Sequence, residues 1–288
     1  MPDGFKAAAA LLPPEVKKCA QHLSDADTAR AEEFRLRMGR APSVLLPEGE
    51  RAFAPMPVCA SDLLAVLETA SRGSLHAVTD ELRRGYLAAP GGVRVGVCGS
   101  AVMDGGIRAV RDVSSLSVRI PRQLRGVGSA AVAAVKDGSV LIFSAPGGGK
   151  TTFLRELVRT VSDAGTRVSL CDERGEIAAA CAGAPQFDVG RCTDVLSGAP
   201  KAEGAMLLLR AMNPEVLAMD EISAPEDAQA IETLLGSGVR IFATAHAAFA
   251  EELALRPACR RLLEAGAFQK LVRISGKGAS RHYAVSDV

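Results

Sequence analysis

Tryptophan is absent, and with two tyrosines and nine phenylalanines aromatic residues make up 4% of the chain. A surface that stacks successive nucleic-acid bases needs a series of such rings, so this composition argues against one. No stretch approaches the roughly 18 consecutive apolar residues of a spanning helix; no direct membrane span is expected, and any membrane role has to come through partners. The apolar run at residues 7–12 is shorter than a secretory core and is closed by Pro13 and Pro14, so no secretory pattern is read there. C-x-x-C pairs are lacking, and seven cysteines are an odd number. That fits neither a disulfide framework nor a zinc site and leaves reduced thiols in a cytosolic compartment as the expectation. A dominant charge is also missing: 34 Lys and Arg against 33 Asp and Glu give +1 and a pI near 7.6, so no global field recruits nucleic acid.

Charge is instead local. Between residues 83 and 125 there are eight arginines (Arg83, Arg84, Arg94, Arg108, Arg111, Arg119, Arg122 and Arg125) against Asp104 and Asp112 only. From residue 126 onward, 17 basic residues meet 19 acidic ones, a net of −2. At 288 residues the chain has room for about two domains, each able to bury its own core.

The stretch that organises the chain is GSVLIFSAPGGGKTTFLREL, beginning at Gly138. A β-branched apolar run enters a glycine turn and leaves as a helix, the context a phosphate-binding loop requires. Ser144, Ala145, Pro146, Gly147, Gly148, Gly149, Lys150, Thr151 and Thr152 are its binding residues. Backbone N–H groups turn inward around a β-phosphate, Lys150 reaches the β/γ oxygens, and the Thr151 hydroxyl holds Mg²⁺. ATP and Mg²⁺ are therefore the expected cofactors. The first position is Ser144 where the pattern asks for Gly, a departure offset by the permissive backbone of the three following glycines. The alternative is a glycine-rich turn before a helix with no ligand.

Before the loop, residues 14–23 read as a short helix and 24–28 as a polar break. Residues 33–38 and 43–46 read as strands, and 61–71 as a helix capped by Ser61, stopped by Gly73, with Leu63, Leu64 and Leu67 on one face. Residues 86–88 and 93–97 form a hairpin around Pro90-Gly91-Gly92, and 113–120 adds a strand. This is a small α+β domain, residues 1–124, with an arginine-rich edge (Arg108, Arg111, Arg119, Arg122, Arg125). A Gly/Ala-rich linker, 125–138, with a helix near 129–135, leads to a second domain, 139–288. There, strands at 140–143, 167–171, 215–219 and 239–243 alternate with helices at 150–163, 203–212 and 226–236, and each strand is a nearly continuous apolar run. A mainly parallel sheet covered on both faces follows. Residues 268–275 and 281–286 read as a closing hairpin.

Three strand ends carry the candidate chemistry. Strand 216–219 runs into Asp220 and Glu221, about 70 residues after the loop; Asp220 is placed to hold Mg²⁺ directly or through water and Glu221 to polarise the attacking water. Strand 168–171 ends at Asp172-Glu173-Arg174, which faces the same phosphates or else forms a solvated turn with a local ion pair. Strand 239–244 leads to His246, either a sensor of the γ-phosphate or attacking water, or a packed surface histidine.

These residues, with CDERGEIA, PQFDVGRCTDVL, PKAEGAMLLLRAMNPEVLAMDEI, the PEDAQAI helix, ATAHA, residues 80–86, PGGVRVGVCG and IRAVRDVSSLSVRI, resemble the stage III sporulation protein AA family over most of the chain beyond about Arg30. That family is similar to the motor ATPases of type II secretion and type IV pili. The resemblance implies an α/β fold, a RecA-like P-loop ATPase domain behind a smaller N-terminal α+β domain. It implies an ATP-hydrolysing motor or assembly ATPase of a secretion-like channel used in endospore formation, working as a homo-oligomeric ring for which six members are expected. The ring stands in the cytoplasm on the mother-cell side of the forespore, peripheral to the membrane through membrane-anchored channel proteins. By the same resemblance Asp172-Glu173 match an acidic box, Asp220-Glu221 the second Walker motif and His246 a histidine box. Glu221, Glu173 and His246 become the catalytic candidates. Arg111 and Arg119 join them, since arginines of the motors' N-terminal domain close over bound nucleotide; the alternative for these two is a solvated or partner-binding edge. Ser223-Ala224-Pro225 stands where the family pattern leads one to expect an arginine after the carboxylates. Two other functions stay open: a non-hydrolysing, nucleotide-dependent scaffold or gate, and a RecA-like nucleic-acid translocase, against which neutral charge and scarce aromatics argue.

Overall fold

The computed structural model describes residues 3–73, 85–276 and 278–288. Residues 80–84 of the family-like piece, with Arg83, Arg84 and Lys277, lie outside the described residues. The chain divides into two compact units, Met1–Arg122 with Cys181–Gln186, and Gln123–Ala180 with Phe187–Val288.

The first unit is built on a six-stranded antiparallel sheet in the order β3-β2-β1-β6-β5-β4, with β1 Glu33–Arg37, β2 Ser43–Leu46, β3 Gly49–Ala52, β4 Tyr86–Ala89, β5 Val93–Met103 and β6 Ile107–Arg119. In β1 the alternation works as expected for a half-buried strand: Phe34 and Leu36 are fully buried while Arg35 and Arg37 lie on the opposite face. Helices α1 Asp3–Ala10, α2 Pro14–Gln21, α3 Asp25–Arg30 and α4 Ala60–Ala70 complete the unit, and Phe5 of α1 meets Phe34 edge-on at 5.2 Å between ring centroids.

Several local expectations change. The strands read at 93–97 and 113–120 run longer, as Val93–Met103 and Ile107–Arg119. Residues 25–30 are a helix, not a break: Ser24 is its N-cap, its Oγ accepting from the Asp27 backbone N–H at 3.1 Å, which is what a serine before a short polar run is suited to do. In α4 the cap is Cys59 rather than Ser61. The buried stripe is Leu63, Val66, Leu67 and Ala70, the i, i+3, i+4, i+7 spacing of one helical face, and Leu64 points outward at 47% exposure. The short segment Cys181–Gln186, contributed from far along the chain, belongs to this unit; the Gln186 side-chain carbonyl accepts from the Gly91 N–H at 2.8 Å.

The second unit holds a seven-stranded sheet in the order β13-β12-β7-β11-β10-β8-β9: β7 Val140–Ser144, β8 Val168–Asp172, β9 Thr193–Ser197, β10 Val216–Glu221, β11 Arg240–His246, β12 Lys270–Ser275 and β13 His282–Asp287. All neighbours are parallel except the β12–β13 pair. The continuous apolar runs follow from burial on both faces. Val140 and Ile142 pack on one side with α5 Ser129–Val135 and α6 Lys150–Asp163; Leu141 and Phe143 pack on the other with α7 Lys201–Met212, α8 Pro225–Leu235, α9 Ala250–Leu255 and α10 Pro257–Glu264. Residues 125–138 lie in this unit, α5 burying Val132 and Val135 in its core. In open α/β sheets ligands sit beyond the carboxyl ends of the strands, and here β7, β11, β10 and β8, adjacent in that order, end on Ser144, His246, Glu221 and Asp172. No described helix is long and apolar enough to cross a membrane.

Candidate functional site

A cavity of about 330 Å³ opens at these strand ends, lined by Gly147, Gly149, Lys150, Thr151, Thr152, Arg174, Glu176, Asp220, Glu221, Thr244, His246 and Arg281. Of the residues expected from the sequence, Gly147, Gly149, Lys150, Thr151, Thr152, both β10 carboxylates and His246 are therefore brought together, while Ser144, Ala145, Pro146 and Gly148 do not line the cavity.

The loop leaves β7 and turns into α6 through left-handed backbone at Gly147 (φ +73°) and Gly149 (φ +103°), conformations that glycine adopts without a Cβ penalty. Gly148 has a different reason. A Cβ there would lie 2.3 Å from Ser144 Oγ and 2.7 Å from its Cβ. Ser144 is buried and its hydroxyl donates to the Ala145 carbonyl at 2.8 Å. The serine at the first loop position thus fills the space that a side chain at 148 would need, so the departure at 144 and the glycine at 148 explain each other.

Lys150 is almost fully buried. Its ammonium donates to the Ser144 carbonyl at 3.3 Å and to His246 Nδ1 at 2.8 Å. Since Nδ1 accepts, the ring proton sits on Nε2, which faces Glu221 Oε2 at 2.8 Å. A Lys150–His246–Glu221 chain therefore links the ends of α6, β11 and β10. Burial lowers the Lys150 pKa, with Glu221 opposing the shift and Arg256 adding to it.

The second acidic strand end splits into two fates. Asp172 is fully buried and turns away from the cavity, accepting from the backbone N–H groups of Glu176, Ile177 and Ala178 at 2.8–3.2 Å. Burial raises its pKa against those three donors. Arg155 of α6 finishes the turn by donating to the carbonyls of Ile177 and Glu176 at 2.6 and 2.7 Å, its own pKa brought down by burial to about 10. Asp172 and Arg155 are positioning residues, and what they position is Arg174 and Glu176 on the cavity wall. Glu173 is not on that wall. It accepts from Lys201 Nζ at 2.6 Å, and the same ammonium lies 3.5 Å from Asp220 Oδ1. That second distance is an ion pair without hydrogen-bond geometry: Asp220 Oδ1 is buried and without a hydrogen-bond partner.

Lys201 escaped the sequence reading because a lysine at the start of a helix carries no motif; what marks it is 8% exposure, unusual for a lysine unless it is paired. Burial lowers its pKa, but Glu173 and Asp220 outweigh that and leave it raised. Burial also pushes Asp220 up to about 6, with Lys201 opposing. Arg281, from just before β13, escaped for the same lack of pattern.

Arg111 and Arg119 belong to the first unit. Arg111 pairs with Ser100 in the β5–β6 ladder, and Arg119 lies 3.9 Å from Glu33. Arg122 donates to the Ala31 carbonyl at 2.9 Å, and Arg108 lies 3.7 Å from Asp104.

With this arrangement in hand, comparison with known proteins decides the family. The family model described as sporulation stage III, protein AA matches residues 7–282. The chain belongs to the sporulation stage III protein AA family. Stage III sporulation protein AA of Bacillus subtilis (strain 168) is 34% identical over 276 residues, 93% of this chain and 90% of that protein. Among solved structures, the Legionella pneumophila ATPase DotB superposes with a TM-score of 0.59 at 14% identity, covering 94% of this chain and 78% of its own. The pilus retraction motor PilT with bound ADP gives 0.59 at 13%, covering 88% and 78%. This member of the sporulation stage III protein AA family therefore has the α/β fold of secretion ATPases, a RecA-like P-loop ATPase domain with a smaller N-terminal α+β domain.

Two outcomes test the site of this family member without any ligand. Gly148→Ala overpacks the loop against Ser144 and lowers stability by about 1–3 kcal/mol; Ser144→Gly added to it restores most of the loss, read by thermal or denaturant unfolding of the single and double variants. Asp220, whose folded pKa is raised, binds more protons folded than unfolded between about pH 4 and 6, so stability falls as pH rises through that window and the penalty is complete above it. Asp220→Asn is then more stable than the parent at pH 7.5, by on the order of 1–3 kcal/mol, and the advantage disappears by pH 4. A pH-independent difference in melting temperature would reject the assignment.

Proposed function

We propose that this chain is an ATP-binding and ATP-hydrolysing motor or assembly ATPase of a secretion-like channel apparatus in endospore formation. The single observation that supports this best is the Lys150–His246–Glu221 chain at the mouth of a glycine loop, which couples the residue that meets the terminal phosphate to the residue that meets the water. Backbone N–H groups of residues 147–152 receive the β-phosphate at the amino end of α6, where unpaired donors and the helix dipole favour an anion. Lys150 exchanges Ser144 and His246 for β/γ oxygens. His246, released by Lys150 when phosphate arrives, keeps its Nε2 proton toward Glu221 and so holds that carboxylate over the attacking water, which Glu221 polarises.

The donor set suits Mg²⁺ bound as Mg–nucleotide. Thr151 and Asp220 share the cavity, and Asp220 Oδ1 is an orphaned buried acceptor. Among the described residues no cluster of three or more His, Cys, Asp or Glu is built to hold a metal. That matches an ion carried by one carboxylate, a hydroxyl, waters and phosphates rather than by a protein cage. When bound, Mg²⁺ neutralises charge on the β and γ oxygens. Lys201 keeps Asp220 and Glu173 from repelling each other, and Glu173 is the reserve carboxylate.

The remaining expectations belong to the same proposal: a two-domain pattern, read from the sequence as 1–124 and 139–288, with the expected 125–138 linker packed into the second unit; a homo-oligomeric ring of six; a cytoplasmic position on the mother-cell side of the forespore, reached through membrane-anchored channel proteins; no nucleic-acid partner. A non-hydrolysing gate is the second reading. It is favoured by one observation, that His246 and Lys201 already engage Glu221 and Asp220.

Phosphate release by the assembled protein separates the two readings. Lys150→Ala is expected to lose nucleotide binding in a direct titration with circular dichroism unchanged. Glu221→Gln should retain binding and lose turnover by about 10²–10⁴-fold, and equal turnover would move the role to Glu173. If arginines from the first unit complete the site, Arg111→Ala or Arg119→Ala slows hydrolysis toward the 10³-fold lower end for an added guanidinium, with a smaller loss of binding and with specific activity rising with protein concentration. Parental turnover in both returns these β6 arginines, on an inner strand of the first unit's sheet and not at its edge, to a partner-binding surface.

A further inference from the structure

Arg281 reaches the cavity from the flank opposite the carboxylates. β12 and β11 lie on the two sides of β7; His246 and the β10 acids stand on the β11 side, whereas Arg281 comes from the β12–β13 hairpin. Its position is anchored. Two residues on, Tyr283 stacks on Phe153 of α6 with ring centroids 5.3 Å apart and planes 25° from parallel. Gly128 closes the pair, since a Cβ there would lie 2.8 Å from Phe153 and 3.1 Å from Tyr283. The stack fixes the start of β13 to the first turn of the helix that the glycine loop opens.

The guanidinium consequently lies over that loop. A Cβ on Gly149 would come within 3.1 Å of Arg281 Cζ and Nε, so the guanidinium sits against the Gly149 backbone. Arg281 Nε is buried and has no hydrogen-bond partner, and among the described residues no carboxylate lies within ion-pair distance of the side chain. A buried guanidinium N–H without an acceptor is costly, and a planar donor fork set beside inward-turned backbone amides is matched to phosphate oxygens.

We propose that Arg281 is a cis-acting cation for the α and β phosphates of the bound nucleotide, a recognition residue for the diphosphate portion and not a finger on the transferred group. This rests on the nucleotide reading above. The side of the loop it occupies decides the phosphates: metal, water and terminal phosphate are drawn to Asp220, Glu221 and His246 on the other flank, leaving the non-transferred phosphates for this one.

The test is a titration of full-length protein with fluorescent ADP and a non-hydrolysable ATP analogue, with inorganic pyrophosphate as a base-free competitor. Arg281→Ala is expected to weaken ADP and the ATP analogue alike by about 10–100-fold, the range of one charge-assisted hydrogen-bond pair, and to weaken pyrophosphate competition in parallel; in turnover the loss falls on KM rather than kcat. Arg281→Lys should recover part of the affinity through charge without the fork. Parental ADP affinity in Arg281→Ala, or a fall in kcat with ADP affinity retained, overturns the proposal. If the parent chain itself binds no nucleotide, the wider reading fails instead. Should Arg281→Ala not yield folded protein by circular dichroism, Arg281→Gln, which keeps an N–H and removes the charge, reads the same loss.

Discussion

The burial of one ammonium group organises the site. Lys150 opens α6 with little contact with solvent, and a charge taken out of water persists only where acceptors surround it. Those acceptors are the carbonyl at the end of β7 and the imidazole at the end of β11, and the imidazole in turn needs the carboxylate at the end of β10. Three strand ends must therefore be neighbours in the order β7-β11-β10, which a parallel sheet with helical crossovers supplies and a hairpin meander would not. The core on both faces of the sheet holds that order. The site is the reason the order matters.

Acidic strand ends that look equivalent in the chain differ in what the following backbone needs. After β8 the chain turns back, and the free N–H groups of residues 176–178 close on Asp172. After β10 the N–H groups of Ser223 and Ala224 are met instead by Asp227 at 3.0 Å, from the first turn of α8. Asp220 is thereby left with an oxygen that no backbone donor claims. One aspartate is spent on a turn because no other acceptor is near; the other stays available because a helix-capping aspartate has taken that work.

Apolar periodicity made most of the second unit's strands and the helices between them legible, because runs such as residues 140–143 and 216–219 are buried on both faces; the short helices α9 and α10 were not read. β9, Thr193–Ser197, was not visible: it is half-exposed at the sheet edge and its composition is that of a loop. β3 is exposed throughout, so no hydrophobic signal marks it. In the site, the loop, Asp220, Glu221 and His246 carry spacing that chemistry imposes. Lys201 and Arg281 do not, since their roles come from tertiary neighbours at Glu173, Asp220 and Gly149. The requirement for glycine at position 148 was likewise hidden, because it depends on what occupies position 144.

Charge around the cavity sets how a polyphosphate can enter. Lys150, Arg174 and Arg281 line it together with Glu176, Asp220 and Glu221, so the wall is nearly balanced before any ligand arrives. A triphosphate would bring several negative charges into a space that already holds as many carboxylates as cations. Attraction must then come from sources that the balance does not count: the loop's backbone N–H groups, the amino end of a 14-residue helix, an arginine N–H with no internal acceptor, and a divalent ion carried with the nucleotide. Of these only the last also quenches the repulsion between phosphate oxygens and the Asp220–Glu221 pair. On the nucleotide reading proposed above, a site of this charge would discriminate between free and metal-bound nucleotide by electrostatics, before any ligand geometry around the metal is considered.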